Sequence, residues 1–422
     1  MATARRDWQG VERGSERIRG GIRQTGGMVA ARLLDVLLVI VLLVYLGEGW
    51  RSGFIRSLSA IVGLVAGAVA AFFLIPVIGA VVPDPFWRTF LVVSAAVALI
   101  ILGSMGGAAI GRALRGRVEK TALRPLDRIG GALANLVVGA LITALLAGSV
   151  ASLGIPVLSA AVSNSWVLQT INAVTPDPVT AALARLRSAV LAQGLPVISG
   201  GFSGITKSPG VPKVNTGTSP LAAAAASVVR INGTAYACGQ NQSGSGFVIA
   251  KDRVVTNAHV VAGVQQPIVQ APNGQTLDGR IVYFDPQNDL AVIAVSGLSA
   301  PTLGLGNPLA VGDDAVVDGY PFGGPFTTGG AQVLARSAEN VNNIYGTART
   351  NRELYTLAAD IEPGNSGGPL LETNGSIAGI VFAKSSTDAN LGYAMTDTVL
   401  TPVVQQAAGL NAPISSGTCV KG

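Results

Sequence analysis

The sequence is most informative in the residues it has little of. Of its 422 residues, one is histidine and two are cysteine. Mechanisms that need two histidines are excluded, including most histidine-rich metal sites, and two cysteines alone cannot complete a four-ligand zinc site. We therefore predict that the protein needs no metal and no organic cofactor.

Charge is also scarce and unevenly distributed. Charged residues make up 12% and hydrophobic residues 49% of the chain, against about 25% charged in average soluble proteins. This composition excludes intrinsic disorder and a fully soluble chain. Residues 1–200 hold 18 Lys and Arg against 9 Asp and Glu, whereas residues 201–422 hold 11 against 14. Because the basic excess surrounds apolar segments, it indicates membrane orientation and not nucleic-acid binding.

Four apolar runs follow a basic tail at residues 1–32. They cover residues 33–46, 58–82, 86–110 and 133–158, and most reach the roughly 20 residues that a spanning helix needs. Asp35 lies near the start of the first run. Because a charge is costly in lipid, this side chain either lies at the interface or faces a partner inside the bundle.

Three short motifs flank these runs: Leu33-Leu34-Asp35, Gly53-Phe54-Ile55-Arg56 and Leu126-Asp127-Arg128-Ile129-Gly130. With them, residues 30 to 160 resemble the colicin V production protein family. The resemblance implies a four-helix membrane module at residues 33–160, with no catalytic residues. Basic residues divide evenly between the two sides of the spans, so the charge count alone leaves the orientation open.

Residues 161–220 form a predicted linker. Between Pro178 and Gln193 an amphipathic helix is expected to lie on the membrane or to dock on the second half. Residues 199–220 are rich in Gly, Ser, Thr and Pro, which predicts a flexible segment that is open to cleavage, including self-cleavage.

Residues 221–422 contain short apolar runs of strand length, broken by turn residues. Such spacing predicts an all-β barrel or sandwich. The nine runs are Val228–Ile231, Gly246–Ile249, Arg253–Thr256, Ile268–Gln270, Ile281–Phe284, Leu290–Val295, Ala315–Asp318, Leu354–Ala358 and Ser376–Ala383. About 200 residues suffice for two small barrels with a core.

Three motifs in this half carry a histidine, an aspartate and a serine, in that order: His259, Asp289 and Ser366. Acyl transfer needs a hydroxyl nucleophile, a neutral imidazole to take its proton and a carboxylate to orient the imidazole. Asp285 is the alternative orienter, although the adjacent Pro286 indicates a turn. The triad predicts activity that falls in acid as His259 becomes protonated.

The segment Gly364-Asn365-Ser366 is also the predicted oxyanion hole. Its glycines allow a tight turn that aims amide N–H groups, those of Gly364 and Ser366 in particular, at the developing oxyanion. Gly-x-Ser-x-Gly also occurs in α/β-hydrolases, but that fold needs its histidine after the serine. Here the histidine comes 107 residues earlier, which excludes that fold.

Residues 221–422 resemble the trypsin-like serine proteases. The resemblance rests on Gly244-Ser245-Gly246-Phe247-Val248, Val255–Val261, Asp289-Leu290-Ala291-Val292 and Gly364–Pro369. It implies a chymotrypsin-like double β-barrel with His259 as general base, Asp289 as its orienter and Ser366 as nucleophile. With the membrane module, the whole chain resembles the actinobacterial membrane-anchored periplasmic proteases that are associated with acid resistance.

The resemblance also implies substrate-binding positions. Val381-Phe382-Ala383 would be the strand edge that pairs with substrate, and Gly392-Tyr393-Ala394 would form the rim of the pocket. Asp360 lies six residues before the nucleophile, where related pockets select basic side chains. We expect either a preference for Arg or Lys or an aspartate held by local hydrogen bonds.

Cys238 and Cys419 lie near the start and at the end of the second half. A disulfide between them would close a loop of about 180 residues and contribute roughly 5 kcal/mol in the chain-entropy view. Two free thiols are the alternative. Because a disulfide persists only in an oxidising compartment, the pairing favours a protease outside the cell membrane.

The sequence thus predicts a multi-pass inner-membrane serine endopeptidase that cleaves envelope or periplasmic proteins in envelope stress or acid resistance. Its partners would be protein substrates and the lipid bilayer, and not nucleic acid. One alternative is a catalytically silent membrane sensor or peptide-binding scaffold. Another is a transporter with an appended protease, for which Asp35 is the one indication.

Overall fold

The computed structural model describes residues 30–81, 85–118, 121, 123–152, 155–191, 195–198, 201–238 and 240–420. The chain divides into two compact units. One is Asp35–Ala144, and the other contains Leu145–Gly422 together with the N-terminal residues up to Leu34. Residues 161–220, the predicted linker, therefore belong to the same compact unit as the β-rich half.

Among the described residues, four helices are long and apolar enough to cross a membrane. They are α1 (Ala30–Ser52), α2 (Phe54–Val81), α3 (Pro85–Val118) and α4 (Arg124–Ser152). The four predicted apolar helices are thereby confirmed. Helices α1 and α3 extend beyond the apolar runs at both ends, whereas α4 ends at Ser152, before the end of the run 133–158. Most of the basic tail, residues 1–29, lies outside the described residues.

A polar cluster joins α2, α3 and α4 where α1 ends. Gly53, with φ +75°, separates α1 from α2. Asp127 accepts hydrogen bonds from the Ile55 N–H (3.0 Å) and from Arg115 Nε (3.2 Å). The carboxylate thus satisfies an amide in the first turn of α2 that has no partner within the helix. Two of the motifs noted in the sequence therefore meet at this helix break.

Small residues bring α2 and α3 together. A Cβ on Gly63 would lie 2.1 Å from the Gly103 carbonyl oxygen, and one on Gly67 would lie 2.3 Å from the Leu99 carbonyl oxygen. The two backbones therefore pack closely at these glycines.

The connecting segment contains five short elements: α5 (Pro156–Ser163), α6 (Trp166–Val174), α7 (Asp177–Leu191), β1 (Val197–Ile198) and α8 (Ser219–Ala225). Helix α7 matches the predicted amphipathic helix. The flexibility predicted for residues 199–220 stays a prediction, and the described part of this segment lies against the β-rich half. There the backbone is held by the β-rich half, for example by Asp388 Oδ2, which accepts from the Ser208 N–H (2.8 Å).

The remaining described residues are mainly β. The strands are β2 (Val228–Ala235), β3 (Gln240–Ala250), β4 (Arg253–Thr256), β5 (Ile268–Gln270), β6 (Thr276–Asp278), β7 (Arg280–Asp285), β8 (Leu290–Ala294), β9 (Asp314–Gly319), β10 (Thr327–Asn342), β11 (Arg349–Ala358), β12 (Pro369–Glu372), β13 (Ile377–Ser385) and β14 (Leu391–Thr396). Two short helices accompany them, α9 (Ala258–Val261) and α10 (Asp397–Gln406).

The described strands form two seven-stranded sheets, one for each predicted barrel. The first has the order β6-β5-β2-β3-β4-β8-β7, and the second has the order β1-β13-β12-β9-β10-β11-β14, with β13 also paired to β14. Each sheet encloses its own apolar cluster, and a third cluster contains residues of both. The predicted all-β fold is confirmed, and the functional residues lie on loops at the ends of these strands.

A disulfide joins Cys238 to Cys419 across 181 positions of sequence. It ties the C-terminal segment to the end of β2, where Gly263 lies against the Cys419 sulfur. The pairing expected from the positions of the two cysteines is therefore present.

Candidate active site

His259 and Asp289 form a buried pair. His259 lies on α9, directly after β4, and Asp289 lies in the turn before β8. The imidazole Nδ1 is 2.8 Å from Asp289 Oδ2, and the His259 N–H donates to Asp289 Oδ1 at 2.9 Å. The side chains are 7% and 4% exposed. Because a carboxylate accepts hydrogen bonds, Nδ1 carries the proton and Nε2 is left as an acceptor.

The turn that holds Asp289 has an unusual backbone. Asp289 has φ +55°, in the left-handed region that aspartate tolerates better than most residues. Asn257 Nδ2 donates to the Asp289 carbonyl oxygen (3.0 Å) and so ties this turn to the histidine segment. Both carboxylate oxygens are thereby aimed at one residue, His259.

Asp285, the alternative orienter, has a different role. Its Oδ1 accepts from the Gln287 and Asn288 N–H groups, and its Oδ2 accepts from Asn288 Nδ2 at 2.7 Å. This carboxylate therefore closes the turn that Pro286 predicted and does not contact His259.

Ser366 lies beside the histidine segment. The Ser245 N–H donates to the Ser366 carbonyl oxygen (2.8 Å), and a Cβ on Gly367 would lie 3.1 Å from Asn257 N. Ser366 Oγ and His259 Nε2 are both buried, and neither has a hydrogen-bond partner among the described residues. Buried polar atoms without a partner are uncommon, and nucleophile–base hydrogen bonds often form only once substrate is bound.

The predicted oxyanion hole needs one correction. Gly364, with φ +99°, adopts a conformation that favours glycine. Within the described residues, the Gly364 and Ser366 N–H groups have no acceptor, but the Asn365 N–H donates to the Glu362 carbonyl oxygen (3.0 Å). Asn365 was predicted as part of the hole, but its amide closes the turn, so Gly364 and Ser366 are the two available donors.

Asp360 lies at a cavity of about 230 Å³ near this turn, lined also by Glu362, Asn365, Phe322 and Arg185. Burial and the Glu362 carboxylate raise the pKa of Asp360, whereas Lys384 and Arg185 lower it. Lys384 Nζ lies 2.9 Å from Glu362 Oε2. A basic side chain in this cavity would meet the carboxylates of Asp360 and Glu362. That of Glu362 is already paired with Lys384.

The predicted substrate-binding strand is only partly available. The Val381 N–H donates to Gly368, and its carbonyl oxygen accepts from the Gly367 N–H, both at 2.9 Å. Val381 therefore has no edge groups to offer a substrate, because the Gly367–Gly368 turn uses them. Ala383 is paired with Tyr393 of β14, so Phe382 is what remains from the predicted edge.

The predicted pocket rim also differs from expectation. Tyr393 is fully buried, and its ring packs edge-on against Phe202, with 4.9 Å between the ring centroids. Gly392 lies against the Ile361 side chain. The large aromatic side chain thus belongs to the core, because β14 pairs with both β11 and β13, and does not line a pocket.

Two buried charged residues were missed by sequence reasoning. Arg352 on β11 is 3% exposed; its guanidinium lies 5.7 Å from the centroid of the Phe382 ring, and its Nη2 donates to the Asn342 carbonyl oxygen (2.9 Å). Burial lowers the pKa of Arg352, and the nearby carboxylate of Asp289 raises it. Asp318 on β9 is 1% exposed. Neither residue stands out in the sequence, because β11 also carries Arg349 and Glu353 and β9 also carries Asp314, and none of these three is buried.

Comparison with known proteins agrees with this geometry. Residues 244–380 match the trypsin-like peptidase domain family, and residues 34–176 match the colicin V production protein family. Serine protease Rv3671c of Mycobacterium tuberculosis H37Rv is 34% identical over 403 residues, which are 93% of this chain and 100% of that protein. The chain belongs to the trypsin-like serine proteases.

Two further matches cover about half of this chain or less. A protein of Pseudomonas fulva named probable periplasmic serine endoprotease DegP-like is 34% identical over 39% of this chain and 34% of its own length. The crystal structure of the active form of the Rv3671c protease is 36% identical and covers 51% of this chain and 98% of that chain, with a TM-score of 0.48. The predicted family and the predicted serine protease activity are confirmed.

Proposed function

We propose that this serine protease is a membrane-anchored endopeptidase that uses His259, Asp289 and Ser366 to form an acyl-enzyme. The observation that carries the proposal is the buried His259–Asp289 pair, at 2.8 Å, whose second imidazole nitrogen has no partner among the described residues. That nitrogen can accept a hydrogen bond, and the buried Ser366 hydroxyl would donate one to it.

The reaction then has two halves. His259 Nε2 takes the proton from Ser366 Oγ as the oxygen attacks the peptide carbonyl carbon, and Asp289 stabilises the imidazolium without taking a proton. The imidazolium next protonates the leaving amine, and the C–N bond breaks to leave an ester on Ser366. Water, deprotonated by the same nitrogen, hydrolyses the ester and restores the hydroxyl.

The amides of Gly364 and Ser366 are the proposed oxyanion donors. They are fixed before substrate arrives, because Gly364 has a left-handed backbone and the Asn365 amide closes the turn beneath them. Donors that need no reorganisation during the reaction stabilise the tetrahedral intermediate most effectively.

The proposed substrates are extended segments of envelope or periplasmic proteins, and the proposed role is in envelope stress or acid resistance. Such a segment would pair with the backbone of Phe382, which gives affinity with little side-chain selection. The carboxylate of Asp360 supports a preference for Arg or Lys. Self-cleavage within residues 161–220 is part of the proposal.

The proposed location of the protease domain is the outer side of the inner membrane. The Cys238–Cys419 disulfide supports this side, because such bonds persist in oxidising compartments. The four apolar helices and the colicin V family match support the membrane anchor.

A membrane-impermeant fluorophosphonate probe tests the proposal on intact spheroplasts. We expect labelling of the wild type, no labelling of Ser366→Ala, and wild-type labelling of Ser299→Ala, which changes an exposed serine elsewhere in the β-rich half. Labelling only after lysis would contradict the proposed orientation. Absence of labelling in both states would favour the silent peptide-binding scaffold.

A further inference from the structure

The loop Tyr320–Gly324 lies directly behind the proposed oxyanion donors. A Cβ on Gly364 would lie 2.4 Å from the Tyr320 carbonyl oxygen and 2.8 Å from Phe322 N. The Phe322 N–H donates to the Pro363 carbonyl oxygen. Ser245 Oγ links the same two segments, since it accepts from the Tyr320 N–H (2.9 Å) and donates to the Gly364 carbonyl oxygen (2.7 Å). The orientation of the Gly364 amide therefore depends on this loop.

The loop has a backbone conformation that it does not favour on its own. Phe322 has φ +58° and ψ 20°, the left-handed region that is an outlier for a bulky residue. Such conformations persist where the surrounding structure holds them, and they occur often at functional sites. Contacts that hold Phe322 should therefore matter for the oxyanion hole.

The first barrel holds one side of the loop. Arg230 Nη1 donates to the carbonyl oxygens of Gly323 (2.8 Å) and Gly324 (3.3 Å), and its guanidinium lies 5.8 Å from the centroid of the Tyr320 ring. These contacts reach the backbone of the loop and the Tyr320 ring.

Helix α7, from the segment before the barrels, holds the other side. Ala184 is 4% exposed, and its Cβ lies 2.7 Å from where a Cβ on Gly324 would be. The guanidinium of Arg185, the next residue, lies 5.7 Å from the centroid of the Phe322 ring. Cations at this distance from an aromatic face are attracted to it.

We infer that helix α7 contributes to catalysis by the protease, with Arg185 and Phe322 as positioning residues for the oxyanion hole. The helix keeps Phe322 in its left-handed conformation, Phe322 keeps its N–H on Pro363, and the Gly364 amide stays aimed at the oxyanion. The inference rests on the proposed acyl-enzyme mechanism. It assigns a catalytic contribution to a helix for which the sequence indicates only docking on the second half or on the membrane.

The test compares kcat and KM for a small chromogenic peptide ester, using the full chain in detergent. Loss of a whole oxyanion donor costs about 10²–10³ in kcat, so a displaced donor is expected to lower kcat roughly tenfold in Phe322→Leu and about threefold in Arg185→Gln. Arg185 and Phe322 also line the cavity at Asp360, so the ester carries a small uncharged side chain there. With this substrate KM should stay within about twofold of the wild-type value, because the oxyanion donor acts mainly in the transition state. Arg185→Lys retains a cation over the ring and should recover most of kcat.

Arg336→Gln is the matched control. Arg336 is also an arginine over an aromatic ring, 6.0 Å from the centroid of Tyr355, but it contacts neither α7 nor the Tyr320–Gly324 loop through any interaction the structure records. Its kcat should equal that of the wild type. Melting temperatures of all variants show whether a loss of kcat merely follows a loss of stability.

Wild-type kcat in Arg185→Gln, or an equal loss in Arg336→Gln, would overturn the inference. A loss that Arg185→Lys does not recover would also count against it. If Phe322→Leu does not fold, Ala184→Leu, which pushes the helix away from Gly324, replaces it with the same expectation. A wild-type chain that fluorophosphonate does not label would instead refute the proposed function itself.

Discussion

A buried carboxylate makes the stability of the protease domain depend on pH. Asp318 on β9 is 1% exposed, and neither of its carboxylate oxygens makes a hydrogen bond of ordinary geometry within the described structure. Burial raises its pKa from the usual 3.8 to about 6, and the nearby Thr328 hydroxyl on β10 lowers it only slightly. The ionised form is therefore the costly one.

The direction and the size of the pH effect on stability follow from the pKa of Asp318 in the folded and in the unfolded state. Because the folded pKa is raised, the folded state binds the proton more tightly than the unfolded state does. The stabilisation is complete below about pH 4 and is lost as the pH rises through about 6. The difference of about two pH units between the folded and unfolded pKa corresponds to about 3 kcal/mol, at about 1.4 kcal/mol for each unit.

Asp318→Asn removes this titration while keeping the shape of the side chain. In a Ser366→Ala background, which prevents self-digestion, the variant should be about 3 kcal/mol more stable than its parent at pH 7.5, or about 6–12 °C in Tm. At pH 4 the two should be equally stable. Asp314→Asn, an exposed site on the same strand, is the control and should show no such divergence. A difference between variant and parent that is the same at both pH values would refute the reasoning.

Three further predictions concern the active site and the disulfide. Asp289→Asn should lower kcat by about 10⁴, because the amide no longer holds the required imidazole tautomer, whereas Asp285→Asn should leave kcat close to wild type; equal losses would contradict the assignment. Replacing Cys238 and Cys419 with serine should lower the free energy of unfolding by up to about 5 kcal/mol, measured by denaturant titration, and an unchanged midpoint would contradict this. Asp360→Ala should remove selectivity for Arg and Lys in a panel of peptide substrates, and a retained preference would assign that selectivity elsewhere.

The elements that could be predicted are those whose signal is local in sequence. The strands Arg253–Thr256 and Ile268–Gln270 match the structure residue for residue, because each is a short apolar run between turn residues. The pair of His259 and Asp289 was predictable for a similar reason, since each residue sits in a recognisable motif beside a strand. Strand β10 (Thr327–Asn342) was missed, because most of its residues are polar or only partly buried.

Other features depend on partners far away in the sequence. Ser208 is held by Asp388, 180 positions later, so a polar segment that has the composition of a flexible linker is fixed on the barrel. The amide of Asn365 was expected in the oxyanion hole, but only the three-dimensional turn shows that Glu362 accepts from it. Tyr393 is buried because two neighbouring strands enclose it, which the sequence around it does not indicate.

Two of the contacts between the connecting segment and the protease have different consequences for catalysis. Helix α7 packs on the loop behind the oxyanion donors, where a change would act on the chemical step and hence on kcat. Strand β1 lies alongside β13, and the Lys384 and Ser386 N–H groups donate to the Pro196 (3.2 Å) and Ile198 (3.0 Å) carbonyl oxygens. These amides directly follow Phe382 and Ala383, so a peptide extending past Ala383 along this edge meets β1. The contact of α7 affects kcat, whereas the contact of β1 affects substrate binding and hence KM. The effect on activity of moving this segment would therefore depend on the substrate concentration.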